Sequence, residues 1–250
     1  MRLNCPLMFN RRQLRIKVLQ TLYAFHTDKD GSVEEAHKLL LKGLDKTYDL
    51  YLLLLMLIGE MQDAAIERIE AGRLKQQPTR EDLHPNTKFV NNKPLRIIIK
   101  SKELAKEAAN RKLGWGQEQD MIKRLFKSLV MSEEYTAYMD NEERGFQHDR
   151  ESLNRMFRKH IVNDEGLQEW IEEQSILWSD DLDLASSIVL KTVKTITEGS
   201  EDLVLSEMWK DDGDDREFLE HLFSRTLAMA EEHDKAIETR TVDAVATEGS

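Results

Sequence analysis

The residues best suited to chemistry lie near the start of the chain, where basic side chains are concentrated. Residues 1–26 hold five basic groups and no acidic one, and four of the five are Arg11, Arg12, Arg15 and Lys17. A second basic stretch, residues 93–127, has ten basic and four acidic residues. Guanidinium groups donate to phosphates in a planar fork, and the amides of a helix start favour anions. Both stretches therefore predict local polyanion binding; for the first, the alternative is a solvated basic helix turn.

The overall charge limits that prediction. The formal charge is 36 − 47 = −11, and residues 201–250 account for 5 − 15 = −10 of it. A chain this acidic is unsuited to coating nucleic acid generally. The acidic stretch favours a competing interpretation, in which the protein is a helical interaction module that binds a basic partner such as a ribosomal protein.

Catalytic and metal-binding patterns are weak. Residues 28–31 begin like a calcium loop, but the third ligand is missing and the glycine comes two positions early. His221 and His233 lie about three turns apart on one predicted helix, too far to share a metal. The acidic run 211–215 is typical of an exposed turn that places negative charge at a helix start. The motifs HExxH, GxSxG and GxxxxGK[ST] are absent. We predict no enzyme activity, no metal and no cofactor.

Composition favours a purely helical protein. Four prolines and 11 glycines in 250 residues are fewer turn residues than a β-sandwich or a glycine-rich nucleotide fold needs. One cysteine, Cys5, excludes an intramolecular disulfide and a Cys-based zinc site. The longest apolar run, residues 50–58, is far shorter than the roughly 20 residues that span a bilayer. We expect an all-α protein in the cytoplasm, with no membrane partner.

Apolar periodicity predicts where the helices lie. In a helix over 11–25, one face carries apolar positions 14, 18, 22 and 25 and a second carries 16, 19 and 23, so burial on most sides is expected. Ser32 and Glu35 form a capping box for a helix ending near Leu44. A separate helix is predicted over 46–71, followed by an extended connection over 76–94 and a strand or helix start at 96–100. Further helices are predicted at 101–112, 118–130, 133–140, 149–162, 165–177, 182–197, 201–210 and 214–238. The four tryptophans are expected in the core.

An internal repeat links two of these predicted segments. Residues 149–172 and 215–238 align without a gap, and eight of 24 positions are identical, including the Asp-Arg-Glu opening. Two amphipathic helix pairs with the same periodicity would explain the apolar matches, but identical polar residues at the start favour a duplication. The first copy is followed by an apolar helix at 182–196. The second copy has no counterpart, so it is expected to be cut short.

Several segments resemble the NusB family of transcription antitermination factors. Residues 10–24, Asn-Arg-Arg-Gln-Leu-Arg-Ile-Lys-Val-Leu-Gln-Thr-Leu-Tyr-Ala, are similar to its first helix, which has an arginine-rich start and a pattern like A-V-Q-A-L-Y. The repeat copies resemble the family's central helices. Residues 46–51 and 78–91 are similar to segments of the extended NusB proteins of Bacteroidetes-type bacteria. The resemblance covers most of residues 8–240 and favours Met8 as the true start.

The resemblance implies RNA binding rather than catalysis. NusB proteins bind a short single-stranded boxA RNA together with NusE, a small-subunit ribosomal protein, and help RNA polymerase to pass terminators. By that resemblance, Arg11, Arg12, Arg15 and Lys17 are the expected RNA contacts, since guanidinium groups also stack on unpaired bases. Family members end in segments resembling P-x-K-V-x-I-N-E-x-I-E-L-A-K and F-V-N-G-V-L-D, which this sequence lacks, so we expect a member without the C-terminal part.

The sequence therefore predicts a multi-helix NusB-like bundle with internally repeated helix pairs. We expect four segments: N-terminal NusB-like helices with their connecting loop at 1–92, a basic helical insertion at 93–145, a NusB-like helical repeat at 146–200, and an acidic, truncated second repeat at 201–250. The expected function is RNA-binding antitermination or termination on boxA-type RNA, with RNA polymerase reached indirectly.

Overall fold

A computed structural model describes residues 7–27, 32–175, 178, 180–211 and 213–229. Within these ranges the regular structure is helical, and the one pairing of extended segments is an isolated parallel bridge between Leu7 and Glu207. The prediction of an all-α, multi-helix protein is confirmed. The predicted turn at 28–31 and the end of the second repeat copy, 230–238, lie outside the described residues.

Most of the helices lie where the apolar periodicity predicts them. In chain order they are α1 Arg11–Thr27, α2 Val33–Arg73, α3 Arg80–Leu83, α4 Lys93–Lys100, α5 Lys102–Arg111, α6 Gln119–Val130, α7 Glu133–Asp140, α8 Phe146–Lys159, α9 Glu165–Gln174, α10 Leu182–Thr195 and α11 at residues 213–229, with a 3₁₀ turn at Ile161–Asn163 after α8. The predicted capping box starts α2: Glu35 N donates to Ser32 Oγ at 3.2 Å, and Ser32 N donates to Glu35 Oε2 at 2.8 Å.

The two helices predicted over 32–44 and 46–71 are one continuous helix, α2. The buried positions explain the continuity, because Leu40, Leu44 and Tyr48 are all buried at a spacing of four residues. Residues four apart lie on the same helix face. One apolar stripe therefore runs through the expected break, and no proline interrupts it.

The helix predicted over 201–210 is wrong, because this segment is irregular and extended. Its backbone groups bond outside the segment: Ser206 N donates to the Tyr51 hydroxyl at 3.0 Å, and Glu207 O accepts from Met8 N at 2.9 Å. The segment at 96–100, for which the sequence left strand or helix open, belongs to helix α4. Asn92 caps that helix, since its Oδ1 accepts from Leu95 N at 3.0 Å.

The described residues form two compact units. The large unit contains Asp45–Glu207 together with Leu7 and Met8, and the small unit contains Phe9–Leu44 together with the described residues from Met208 onward. Helix α2 contributes its first part, up to Leu44, to the small unit and the remainder to the large unit.

The core of the large unit surrounds α2. The apolar run Leu50–Ile58 is buried apart from a half-buried Met56. The Tyr51 hydroxyl lies 3.0 Å from Thr192 Oγ1, which in turn lies 3.1 Å from Ser206 Oγ. Two indoles also donate to α2 carbonyls, and both Trp115 and Trp178 are buried as predicted. The other two tryptophans, Trp170 and Trp209, are only half-buried.

Several equivalent positions of the two repeat copies have similar environments. Leu153 and Phe157 of the first copy are buried in the large unit, and so are their counterparts in the small unit, Leu219 and Phe223. The opening carboxylates are also alike. Asp149 Oδ2 accepts from Lys93 N, and Asp215 Oδ2 accepts from Lys210 N and Asp211 N. These shared roles support the duplication that the sequence indicates.

The segment predicted as an extended connection, 76–94, contains the short helix α3. A capping box starts it: Asp82 N donates to Thr79 Oγ1 at 3.1 Å, and Thr79 N donates to Asp82 Oδ2 at 2.9 Å. Lys75 Nζ donates to the same carboxylate at 2.8 Å. These donors, with the Lys75 hydrogen bond as the largest influence, lower the pKa of Asp82 to about 2.

The Tyr51 network gives a stability prediction. We expect Tyr51→Phe to lower the free energy of unfolding by about 1–3 kcal/mol, because the buried Ser206 amide loses its partner. Urea unfolding followed by circular dichroism measures the change. Tyr135→Phe is the matched control, since the Tyr135 hydroxyl has no hydrogen bond among the described residues. Equal losses in the two variants would contradict the role of the network.

The Asp82 carboxyl gives a pH prediction. Its pKa in the folded protein lies below the ordinary value of 3.8, so the unfolded chain binds more protons in that range. The stabilisation it provides is therefore present above pH 3.8 and is lost as the pH falls towards 2. Carbon-13 NMR of the carboxyl should show a midpoint near 2 that rises in Lys75→Met and stays fixed in the control Lys100→Met. An unchanged midpoint in Lys75→Met would show that the Lys75 hydrogen bond is not the main cause of the lowered Asp82 pKa.

Candidate nucleic-acid interface

The arginine cluster at the start of the chain is positioned by the cap of helix α1. Asn10 Oδ1 accepts from Arg12 N at 3.0 Å and from Gln13 N at 3.1 Å, while Asn10 N donates to Gln13 Oε1 at 2.7 Å. This reciprocal arrangement satisfies amides that the first turn would otherwise leave unpaired. It also fixes where the helix begins, and so which way the arginines project.

Two of the three arginines lie against an aromatic ring of α11. The Arg11 guanidinium is 4.6 Å from the centroid of the Phe218 ring, and that of Arg15 is 6.0 Å from the same centroid. Arg12 is exposed beside them. Within the described part of the chain, no carboxylate forms an ion pair with these guanidinium groups. We call Arg11, Arg12, Arg15 and Phe218 the arginine platform.

Lys17, the fourth predicted RNA contact, does not belong to this platform. Its side chain is only 8% exposed, whereas all three arginines are exposed. The buried face of α1 explains the difference, because Lys17 lies about one turn after Leu14, on the side of the helix where Thr21 is also buried. A lysine this deeply buried presents little surface to a phosphate in solution, so this predicted contact is not supported by its placement.

The prediction that α1 is buried on most sides is also wrong. Leu14, Val18 and Leu22 are buried, but the second apolar face is exposed, with Leu19 66% and Tyr23 76% accessible. In the small unit, the described elements therefore cover a single face of this helix. The result is an exposed apolar stripe, Ile16, Leu19 and Tyr23, on the same helix as the arginines.

A second aromatic group lies close to the start of α11. The Arg216 guanidinium is 5.2 Å from the centroid of the Trp209 ring, and Trp209 lies 6.1 Å from Phe9, measured between centroids at an interplanar angle of 42°. Sequence reasoning placed Trp209 in the core and did not single out Phe218 as a binding residue. The repeat contained a signal for Phe218, since the matching position of the first copy is the small, buried Ser152.

Two carboxylates of the acidic run, those of Asp211 and Asp215, accept hydrogen bonds from backbone amides. Asp211 Oδ1 accepts from Gly213 N and Asp214 N, each at 3.1 Å. Asp215 Oδ2 accepts from Lys210 N at 2.9 Å, and the residue is only 7% exposed. As predicted, these carboxylates serve the start of the next helix, where negative charge is favourable, although Asp215 is buried rather than exposed.

Other candidate chemistry in the described residues is limited. No group of three His, Cys, Asp or Glu residues there is placed to hold a metal ion. Ser128 Oγ lies 3.1 Å from His160 Nε2 at the edge of a cleft of about 520 Å³. Ser128 is in the last turn of α6, where a helix exposes carbonyl oxygens rather than the amide donors that an oxyanion needs. None of the described helices is long and apolar enough to cross a membrane.

Comparisons of this chain with protein-family models, with curated proteins and with solved structures find no match.

The contact between Arg11 and Phe218 can be measured by a double-mutant cycle. We expect Arg11→Ala and Phe218→Leu to show a coupling of about 0.5–1 kcal/mol in the free energy of unfolding, as for a partly exposed cation–π pair. The matched cycle uses Arg12→Ala with Phe218→Leu. Its coupling energy should be zero within error, because Arg12 does not lie over the ring. Equal couplings would mean that the ring does not hold Arg11 specifically.

Proposed function

We propose that this protein binds single-stranded RNA through the arginine platform. In this proposal it acts as a NusB-like factor in transcription antitermination or termination, on boxA-type RNA and together with a small-subunit ribosomal protein. RNA polymerase is reached through that complex rather than by direct contact. The resemblance of residues 10–24 to the first NusB helix supports the role, and the platform supports the RNA-binding step.

The observation that carries the proposal is the placement of Arg11 and Arg15 over Phe218, with no described carboxylate paired to them. A guanidinium that already rests on a ring has lost part of its rotational freedom before the ligand arrives. Its N–H groups remain able to donate to a phosphate, and a guanidinium plane can itself stack on an unpaired base. Single-stranded RNA supplies both groups at neighbouring positions.

A second candidate function is binding of a protein partner. The stripe of Ile16, Leu19 and Tyr23 favours it, because exposed apolar side chains at helical spacing are typical of a protein interface. A basic partner would also be attracted by the charge of −10 on residues 201–250. A ribosomal protein meets both requirements, so the two functions are compatible in one complex.

The central test removes the platform charges. We expect Arg11→Ala, Arg12→Ala and Arg15→Ala together to abolish measurable binding of a short single-stranded RNA in fluorescence anisotropy. Three phosphate contacts at about −0.7 each would contribute about −2 to the log–log salt slope of the unaltered protein. The slope matters because it counts the phosphate contacts independently of the affinity.

The matched control removes three exposed arginines outside both basic stretches, Arg68, Arg73 and Arg80, and so changes the net charge equally. This variant should retain most of the affinity. The same loss in both triple variants would indicate generic charge attraction and contradict the platform. Under the protein-partner alternative, Leu19→Gln would weaken binding to the basic protein while the arginine variant would not.

A further inference from the structure

A second basic surface lies in the large unit, between helices α8 and α10. It is a groove of about 520 Å³ whose lining includes Arg150, Arg155, Arg158 and Lys194. Glu151 is the one carboxylate among its lining residues. The formal charge of the lining is therefore 4 − 1 = +3, in a protein whose total charge is −11. We call this surface the α8–α10 groove.

One of the four cations, Arg150, joins the two helices that form the groove. Arg150 donates to the carbonyl of Lys194 at 3.0 Å and to that of Ile196 at 2.8 Å. These carbonyls lie at the C-terminal end of α10, where a helix leaves its acceptors unpaired. Arg150 therefore ties the two helices to each other, and its charge is partly committed to that contact.

The other cations are available to a ligand. Arg155, Arg158 and Lys194 are exposed, and none of them forms an ion pair with a carboxylate among the described residues. The Glu151 carboxylate accepts a hydrogen bond from the Gln147 amide. Asn154 also lines the groove, and its Oδ1 is buried without a partner in the described structure. Unpaired cations and an unsatisfied amide beside them are the features expected of a surface awaiting a polar ligand.

The arrangement of the charges indicates which kind of ligand would fit. From Arg150 to Arg158 the cations extend along α8 over about 12 Å, at 1.5 Å per residue. A row of this length suits successive phosphates of a chain rather than one small anion. The lining contains no aromatic ring, so base stacking in the groove would be limited to the guanidinium planes. Contacts would then go to the backbone, which positions a nucleic acid without reading its sequence.

We propose that the α8–α10 groove binds the phosphodiester backbone of single-stranded RNA, independently of its sequence. The inference deepens the proposed RNA-binding function and rests on it, since it adds a second contact surface for the same class of ligand. The groove supplies charge attraction, and the arginine platform supplies the contacts with unpaired bases.

The test measures binding of a uridine oligonucleotide of about twelve residues to the full chain by fluorescence anisotropy. The variant Arg155→Ala with Arg158→Ala should bind more weakly, with a log–log salt slope shallower by about 1.4 for two lost contacts. Glu151→Gln should bind a few-fold more tightly, because it removes the one negative charge of the lining. Opposite effects of the two variants are difficult to produce by a general loss of folding, which circular dichroism checks separately.

Matched controls change the same charges elsewhere in the large unit. Arg73→Ala with Arg80→Ala removes two exposed arginines, and Glu173→Gln removes one exposed carboxylate. Both should leave the affinity and the salt slope unchanged. If these controls shift binding as much as the groove variants do, the groove is not the site.

The remaining outcomes separate this inference from the proposed function. If the platform variant loses binding and the groove variant does not, the platform stands and the groove inference is overturned. If only the groove variant loses binding, the platform is overturned and the groove stands. Tripolyphosphate and poly-glutamate serve as competing ligands. Equal or tighter binding of either one, with the same dependence on Arg155 and Arg158, would assign the groove to a small phosphate or an acidic protein and overturn RNA as its ligand.

Discussion

One constraint shapes the large unit: an apolar segment of α2 has to be buried on every side. Leu50–Ile58 is an uninterrupted apolar run, and each residue of a helix is rotated by about 100° from the last. Nine such residues therefore point in all directions around the axis, and an amphipathic arrangement is impossible there. Almost all of them are buried, which requires other segments of the chain around the whole circumference of α2 rather than along one face.

Burial on that scale also encloses polar groups, and these join neighbouring helices. Asn92 Nδ2 donates to the carbonyl of Asp149 at 3.0 Å and to the Tyr138 hydroxyl at 3.2 Å, so the starts of α4 and α8 meet α7. The Tyr138 hydroxyl donates to Asp149 Oδ1 at 2.8 Å. Burial raises the pKa of Tyr138, and the Asp149 hydrogen bond raises it further. Burial also lowers the pKa of Lys88, whose Nζ donates to the carbonyls of Tyr138 and Asn141.

In the small unit, the three arginines at the start of α1 are instead exposed to solvent. The carboxylates of Asp211 and Asp215 are bonded to backbone amides at the start of α11. They are thereby held away from the arginines, whose partner is instead the neutral ring of Phe218. An aromatic ring restrains a guanidinium without neutralising it. The platform therefore combines fixed position with retained charge, which suits recognition of an anion.

The sequence alone determined much of the local structure, since helix starts and stripes depend on residues within one turn of each other. The capping box of Ser32 and Glu35, the helical class and the cluster of Arg11, Arg12 and Arg15 were all predictable on that basis. The sequence also indicated the repeat, and the structure buries Leu219 and Phe223 as it buries the matching Leu153 and Phe157.

Tertiary structure decided the rest, because burial depends on which distant segment covers a given face. Periodicity gave α1 two apolar faces, yet only the one with Leu14 and Val18 is covered, and that choice buries Lys17. Phe218 lies under Arg11 although more than 200 residues separate them in the sequence. The α8–α10 groove likewise joins Arg158 to Lys194 through the packing of two helices. Local patterns specify what a side chain can do, but the packing of distant segments decides which side chains act together.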